Sequence, residues 1–333
     1  MGIPKHKVIL KKSKADVLLL NSNNDNFYYL TGLSQEGVIG LFDDKITLVG
    51  SFLHKRPPEK FQYRGFSDRK SLVSFLKEKL KDRVVGVDFS SISKTRFEKI
   101  KNISNKCVNI HPFLKKKRAI KDKQEIKKIK KACEISGDAF DFVKKKMNPE
   151  MKEGEVKKLI KKYFIERDVD ESFDPIVANK QHAAVPHYKG NGKLNKEGVL
   201  VDLGCFYKKY CSDLTRMFSF TINGNDKKRF EQLKNVRDEI FEKIRPGVKI
   251  SDIQKIADKR LGKMNHSVMH GIGITVHDFP RKKKTKIKEN MVFSIEPAVY
   301  GKTYGMRIEN VIWVKNKKNK FLSKPQESII DLS

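Results

Sequence analysis

A carboxylate set into a run of β-prone apolar residues needs something to neutralise it, and the stretch Val201 to Arg216 (VDLGCFYKKYCSDLTR) holds two, Asp202 and Asp213. Its flanks, Gly198 to Leu203 and Leu214 to Phe220, read as half-buried or buried strands. If they fold back as a hairpin turning at Tyr207 and Lys208, Asp202 and Asp213 lie equally far from the turn and face each other, with Cβ atoms roughly 5 Å apart. Like charges that close repel, so the hairpin is stable chiefly with a cation between them. A solvated turn carrying two unrelated acids explains this single stretch equally well.

The geometry recurs near the C-terminus. Ser294 to Tyr300 (SIEPAVY) and Met306 to Trp313 (MRIENVIW) flank the loop Gly301 to Gly305, and Glu296 and Glu309 are equidistant from a turn at Lys302 and Thr303. Two hairpins, each presenting opposed carboxylates from apolar strands, favour a metal site over coincidence. Between them lies Met269 to Asp278 (MHGIGITVHD), where His270 precedes a Gly-Ile-Gly turn that allows close backbone approach. Asp202, Asp213, His270, Glu296 and Glu309 make four carboxylates and one imidazole, enough for two divalent ions roughly 3.5–4 Å apart. Oxygen and imidazole donors suit manganese, cobalt or iron(II), with zinc also possible, and disfavour thiolate-seeking metals.

The 333 residues, 38% of them apolar, suffice for two domains. The apolar stretch Val17 to Leu20 is too short for a signal peptide and no run approaches a membrane span, so a cytoplasmic protein is expected. Cys107, Cys133, Cys205 and Cys211 show no paired C-x-x-C spacing, which argues against a structural zinc site or a disulfide framework. Cys205 and Cys211 read as small buried residues packing the Asp hairpin. The formal charge of +32 would suit nucleic acid, but the lysines are scattered over almost every expected helix and do not form one block with aromatics, so nucleic acid is not the expected partner.

Residues 16–111 alternate strand-like and helix-like segments: Asp16 to Leu20, Val38 to Phe42, Ile46 to Val49, a helix from Ser71 to Leu80 capped by Asp68, Arg83 to Phe89, Thr95 to Ile100 and Cys107 to Ile110. This is a small α/β domain without a catalytic cluster. The basic tract Lys115 to Arg118 marks its end. Beyond it, Asp122 to Glu125 forms a capping-box variant at the start of a long helix, and helices follow at about Glu153 to Glu166, Asp226 to Lys243 and Ser251 to Leu261. The order is helix, helix, hairpin, repeated once. It suggests a duplicated α+β unit closing around one site, each half contributing a carboxylate pair.

The segments D-x-G (Asp202 to Gly204), C-S-D-L-T-R (Cys211 to Arg216), H-G-I-G…H-D (His270 to Asp278), I-E-P…Y (Ile295 to Tyr300) and R-I-E (Arg307 to Glu309) resemble, in order, those of the pita-bread metallopeptidases. That family includes Xaa-Pro dipeptidase (prolidase), aminopeptidase P, creatinase and methionine aminopeptidase. The resemblance covers roughly residues 118–325, and Asp16 to Leu20 and Phe27 to Gly32 (FYYLTG) look like the preceding domain of prolidases and aminopeptidase P. It implies an α/β, creatinase-like N-terminal domain over 1–114 and an α+β pita-bread catalytic domain over 115–333.

The resemblance further implies that Asp213 and Glu309 bridge two metals, with Asp202 completing one ion and His270 and Glu296 the other. A hydroxide shared by the ions would attack, with Glu296 accepting and returning a proton. His187, in Ala183 to Tyr188 (AAVPHY), matches the family histidine that positions the scissile peptide, whereas His182 does not; His277 matches the one that stabilises the tetrahedral intermediate. Arg307 marks the proline-directed branch and would hold either the bridging carboxylates or a substrate carboxylate. Met269, Ala298 and Asn310 depart from the commoner glycine, glycine and aspartate, which bears on pocket shape and substrate size.

The expected activity is hydrolysis of the bond before proline, in Xaa-Pro dipeptides or at the N-terminus of longer Xaa-Pro peptides, by a homodimer. A binding-only relative that takes peptides or RNA would have lost ligands, and this chain keeps all five. Methionine aminopeptidases usually lack the first domain and Arg307, while creatinase-like chemistry uses the same scaffold with other accessory residues.

Overall fold

The protein, a computed structural model describing residues 3–264, 266–281 and 284–333, divides into two compact units, Met1–Lys117 and Arg118–Ser333. The first unit carries helices α1 (Lys5–Ser13), α2 (Asp25–Thr31), α3 (Arg69–Leu80) and α4 (Lys94–Lys101) with strands β1 (Val17–Asn21), β2 (Ile39–Phe42), β3 (Ile46–Ser51), β4 (Gln62–Phe66), β5 (Val84–Val87) and β6 (Lys106–Asn109). The strands form one mixed sheet in the order β4-β3-β2-β1-β5-β6. Central β1, buried almost throughout, is apolar on both faces because side chains cover it from both sides. Asp68 caps α3 by accepting from the Ser71 amide at 2.9 Å. Helix α5 (His111–Ala119) runs through the division between the units.

The second unit repeats one plan. Helices α6 (Lys123–Lys146) and α7 (Glu153–Ile165) precede β7 (Ile176–Asn179), β8 (Val199–Leu203), the short β9 (Phe206–Tyr207) and β10 (Tyr210–Cys211), and β11 (Leu214–Ser219). Helices α8 (Gly224–Lys243) and α9 (Ile250–Leu261) precede β12 (Met269–Gly271), β13 (Val292–Ile295), β14 (Ala298–Tyr300), β15 (Gly305–Arg307) and β16 (Asn310–Trp313). Strands β17 (Lys320–Phe321) and β18 (Ile330–Asp331) finish the two four-stranded sheets, ordered β18-β11-β8-β7 and β12-β13-β16-β17. Each half thus has a helix pair and three successive antiparallel strands, β7-β8-β11 or β12-β13-β16. The capping box at Asp122 and Glu125 is present in full. Among the described residues no helix is long and apolar enough to cross a membrane.

The first hairpin corrects its expected register. Tyr207 pairs with Tyr210, so the turn lies at Lys208 and Lys209, both left-handed at φ 47° and 63°. A two-residue loop of that hand follows the twist of the flanking strands, and this preference outweighs the cost of left-handed lysines. Asp202 therefore faces Thr215 instead of Asp213. The slip is two residues, an even number, so both aspartates keep the same face of the sheet. The second hairpin has the register read from its spacing: Ile295 pairs with Asn310 and Ala298 with Arg307, which brings Glu296 level with Glu309.

Candidate metal centre

Strands β8, β12 and the chain just before β11 deliver Asp202, His270 and Asp213, while the links β13–β14 and β15–β16 deliver Glu296 and Glu309. The links are drawn inward by their own backbone: the Glu309 amide donates to Thr215 O at 3.2 Å and the Glu296 amide to Val268 O at 2.9 Å. Three groups of side chains each place their donor atoms within 4.8 Å of one another: Asp202, Asp213 and Glu309; His270, Glu296 and Glu309; and Asp213, His270 and His277. Asp213, His270 and Glu309 each belong to two of them, and Asp213 and Glu309 share the group that holds Asp202. These two therefore stand between Asp202 on one side and His270 with Glu296 on the other.

The imidazole is aimed. His270 Nδ1 lies 3.2 Å from Gly271 O, which suits donation there and leaves Nε2 facing Asp213 (3.4 Å), Glu296 and Glu309 (3.7 Å each). Glu309 accepts from Thr215 Oγ1 at 2.9 Å and from Ser294 Oγ at 2.7 Å. Arg307 is fully engaged: Nη2 reaches Asp202 at 2.5 Å, Nε donates to Thr215 Oγ1 at 3.0 Å, and Nη1 serves Tyr300 Oη and Pro186 O. Its ion pair is with Asp202, which is not one of the two carboxylates expected to bridge.

The electrostatics are those of a pocket in which four carboxylates outnumber the cationic groups Arg307 and His270. Burial pushes Asp202, Asp213 (to about 6) and Glu296 upward, and the neighbouring carboxylates add to it. Burial acts on Glu309 in the same sense, but the His270 hydrogen bond and charge, Arg307 and Ser294 hold it down at about 2. His270 is raised, since Asp213 and Glu309 outweigh its burial. The donor set fits hard divalent cations: the three groups hold four carboxylates and two imidazoles, His270 and His277, with no thiolate. Asp202 Oδ1, buried, has no hydrogen-bond partner in the protein, an open lone pair facing that need. Cys205 and Cys211 are buried away from this role, Cys205 between Ser136 and Ser212 and Cys211 against Ile274 O.

The accessory residues border the same pocket. His277, exposed, sets its ring edge-on to His270 with centroids 4.4 Å apart, and burial together with His270 lowers it to about 4. His187 is exposed and close enough for its charge to act on His266 and His277. Sequence reasoning missed His266: its Nδ1 lies 3.5 Å from Glu296 and its Nε2 is 3.2 Å from Tyr300 Oη. A second histidine four residues before His270 was the available signal. His182 turns to a different partner, bonding buried Glu153 at 2.7 Å.

Comparison with known proteins places these features. Residues 127–316 match metallopeptidase family M24, and residues 3–120 match the creatinase/prolidase N-terminal domain. An Xaa-Pro dipeptidase of Pyrococcus horikoshii is 28% identical over 340 residues, covering 96% of both chains, and the crystal structure of the prolidase from that organism superposes with a TM-score of 0.85 at 28% identity over 98% of this chain and 99% of that one. An X-Pro aminopeptidase of Thermotoga maritima shares the fold, with a TM-score of 0.88 at 24% identity over 97% and 99% of the two chains. With the family model matching more than half of the chain and an acidic, histidine-bearing pocket inside the matched region, the chain belongs to metallopeptidase family M24.

Proposed function

We propose that this protein is an Xaa-Pro dipeptidase that hydrolyses the peptide bond before proline with two divalent ions, manganese or cobalt. The observation that carries the reading is that Asp213, Glu309 and His270 each fall in two of the three close-set donor groups, which supports two adjacent cations sharing ligands. Full-length similarity to an Xaa-Pro dipeptidase supports the substrate class. Bound ions would supply Lewis acidity and lower the pKa of coordinated water.

The chain's own residues do the rest. Arg307 holds Asp202 in place while Thr215 and Ser294 fix the two oxygens of Glu309, so the donors need little rearrangement when loaded. Glu296, beside His270 and His266, accepts the proton of the attacking water and returns it to the leaving proline nitrogen. His187 orients the scissile peptide from the pocket rim. His277, neutral at physiological pH, donates a hydrogen bond to the developing oxyanion. The proposal includes a homodimer, supported by Phe52 (68% exposed) and Leu53 (94% exposed), and a cytosolic location, supported by the four free cysteines.

The test is hydrolysis of Met-Pro, Met-Pro-Gly and Met-Gly-Gly by protein stripped of metal and reloaded with manganese, cobalt or zinc, with Asp213→Ala as control. Cleavage of Met-Pro alone supports the reading. Cleavage of Met-Pro-Gly would replace it with aminopeptidase P activity, and metal-dependent cleavage of Met-Gly-Gly would remove the proline requirement.

A further inference from the structure

Beneath the turn that carries His277 lies a cluster of charges, none of them among the five expected ligands. Arg118, Lys121, Glu125 and Asp278 are 6%, 3%, 4% and 1% exposed, so two cationic side chains and two carboxylates share one buried region. Arg118 Nη2 pairs with Asp278 Oδ1 at 3.0 Å and lies 3.4 Å from Thr275 Oγ1. Glu125 accepts from Tyr210 Oη at 3.0 Å and from the Asp122 amide at 3.0 Å. Lys121 Nζ is buried without a hydrogen-bond partner, although the charges of Asp278 and Glu125 act on it against its desolvation.

Glycine makes the meeting possible. A Cβ on Gly273 would stand 2.4 Å from Asp278 Oδ2 and 3.3 Å from Lys121 Cε, so the carboxylate and the lysine stem converge over the bare backbone of that residue. The turn is pinned at further points: the Asp278 amide donates to Gly271 O at 2.8 Å, the Cys211 amide to Gly273 O at 2.8 Å, and the Phe279 amide to Asp278 Oδ1 at 2.8 Å. His277 itself is exposed and hangs between these anchors. Its ring meets His270 edge-on, with centroids 4.4 Å apart, and the residue that follows it is the buried, ion-paired Asp278.

We propose that Asp278, held by its ion pair with Arg118, is the positioning residue for His277, and that the charge cluster around it fixes the His277 ring against the metal centre. The proposal rests on the hydrolase reading for the role of His277, but its geometric half stands alone. The cluster is balanced, so removing one member leaves an uncompensated buried charge, while removing an opposite pair does not.

The test combines kinetics with amide hydrogen exchange on full-length, manganese-loaded protein. Asp278→Asn is expected to lower kcat on Met-Pro at least tenfold with KM changed less than twofold. The double variant His277→Ala, Asp278→Asn should be no slower than His277→Ala within twofold, because both act through one ring. Losses that multiply, or an Asp278→Asn variant keeping more than half of kcat, would overturn the proposal. If Asp278→Asn fails to fold, the charge-balanced Asp278→Asn, Lys121→Met variant takes its place with the same expectations. Exchange is read on the segment 271–279, expected at least tenfold faster in the variant while 199–216 is unchanged; equal rates would also overturn it. Wild-type protein that leaves Met-Pro intact would sink the hydrolase reading, and the exchange result would still decide the positioning claim.

Discussion

Replacing Asp213 with asparagine should make the metal-free protein more stable at neutral pH while abolishing its stabilisation by metal. Burial and Glu309 raise the Asp213 carboxyl from 3.8 to about 6. A carboxyl raised in the folded state contributes stability that is fully present below about pH 3.8 and is lost as pH rises through about 6. At about 1.36 kcal/mol per pKa unit, ionised Asp213 destabilises the metal-free fold by about 3 kcal/mol above that window. Asparagine removes this penalty but weakens the contact with His270, worth about 1 kcal/mol. The net gain is about 2 kcal/mol, or about 4–8 °C in Tm for a unit of this size. The assay is thermal unfolding of wild type and Asp213→Asn in chelator and in excess manganese at pH 4 and pH 7.5. The variant should melt higher in chelator at pH 7.5, at or slightly below wild type at pH 4, and gain nothing from manganese. A metal-free variant melting at or below wild type at pH 7.5 would refute the claim that this pocket is held under unneutralised negative charge.

Three further outcomes follow from individual contacts. Thr215→Val removes the donor to Glu309 and the acceptor of Arg307 Nε with little change of volume, and should lower stability by about 1–3 kcal/mol, measured as a urea midpoint with unchanged slope. Gly273→Ala forces a methyl group against Asp278 Oδ2 and should reduce stability by about 1–3 kcal/mol, read by thermal melting. Lys208→Asn with Lys209→Gly supplies residues suited to the two left-handed positions of the first hairpin and should raise stability by about 1 kcal/mol by the same measurement.

What could be read in the sequence was whatever local chemistry made conspicuous. Acids in apolar strands betrayed the carboxylates, and the spacing of the second hairpin carried its register because its turn falls midway between the paired residues. In the first hairpin the deciding term was backbone handedness at Lys208 and Lys209, which side-chain spacing does not encode. Helices α1 and α2 are short, and strand β4 is an edge strand exposed along much of its length, so each lacked the apolar periodicity that reveals a longer element. Strand β7 likewise gave no signal, having only four residues. The Arg118–Asp278 pair joins the start of one half to the loop of the other, and no local pattern announces a contact between residues so far apart in the chain.

The joining of the two halves at their ligands bears on when an ion can be captured. Glu309 reaches its place through a backbone bond to Thr215, and its carbonyl is gripped by Arg216 at 2.6 Å. During synthesis the first hairpin leaves the ribosome with Asp202 and Asp213 but before His270, Glu296 and Glu309. On the proposed ligand set, an ion would be captured only once both halves had closed, and its retention would report that closure.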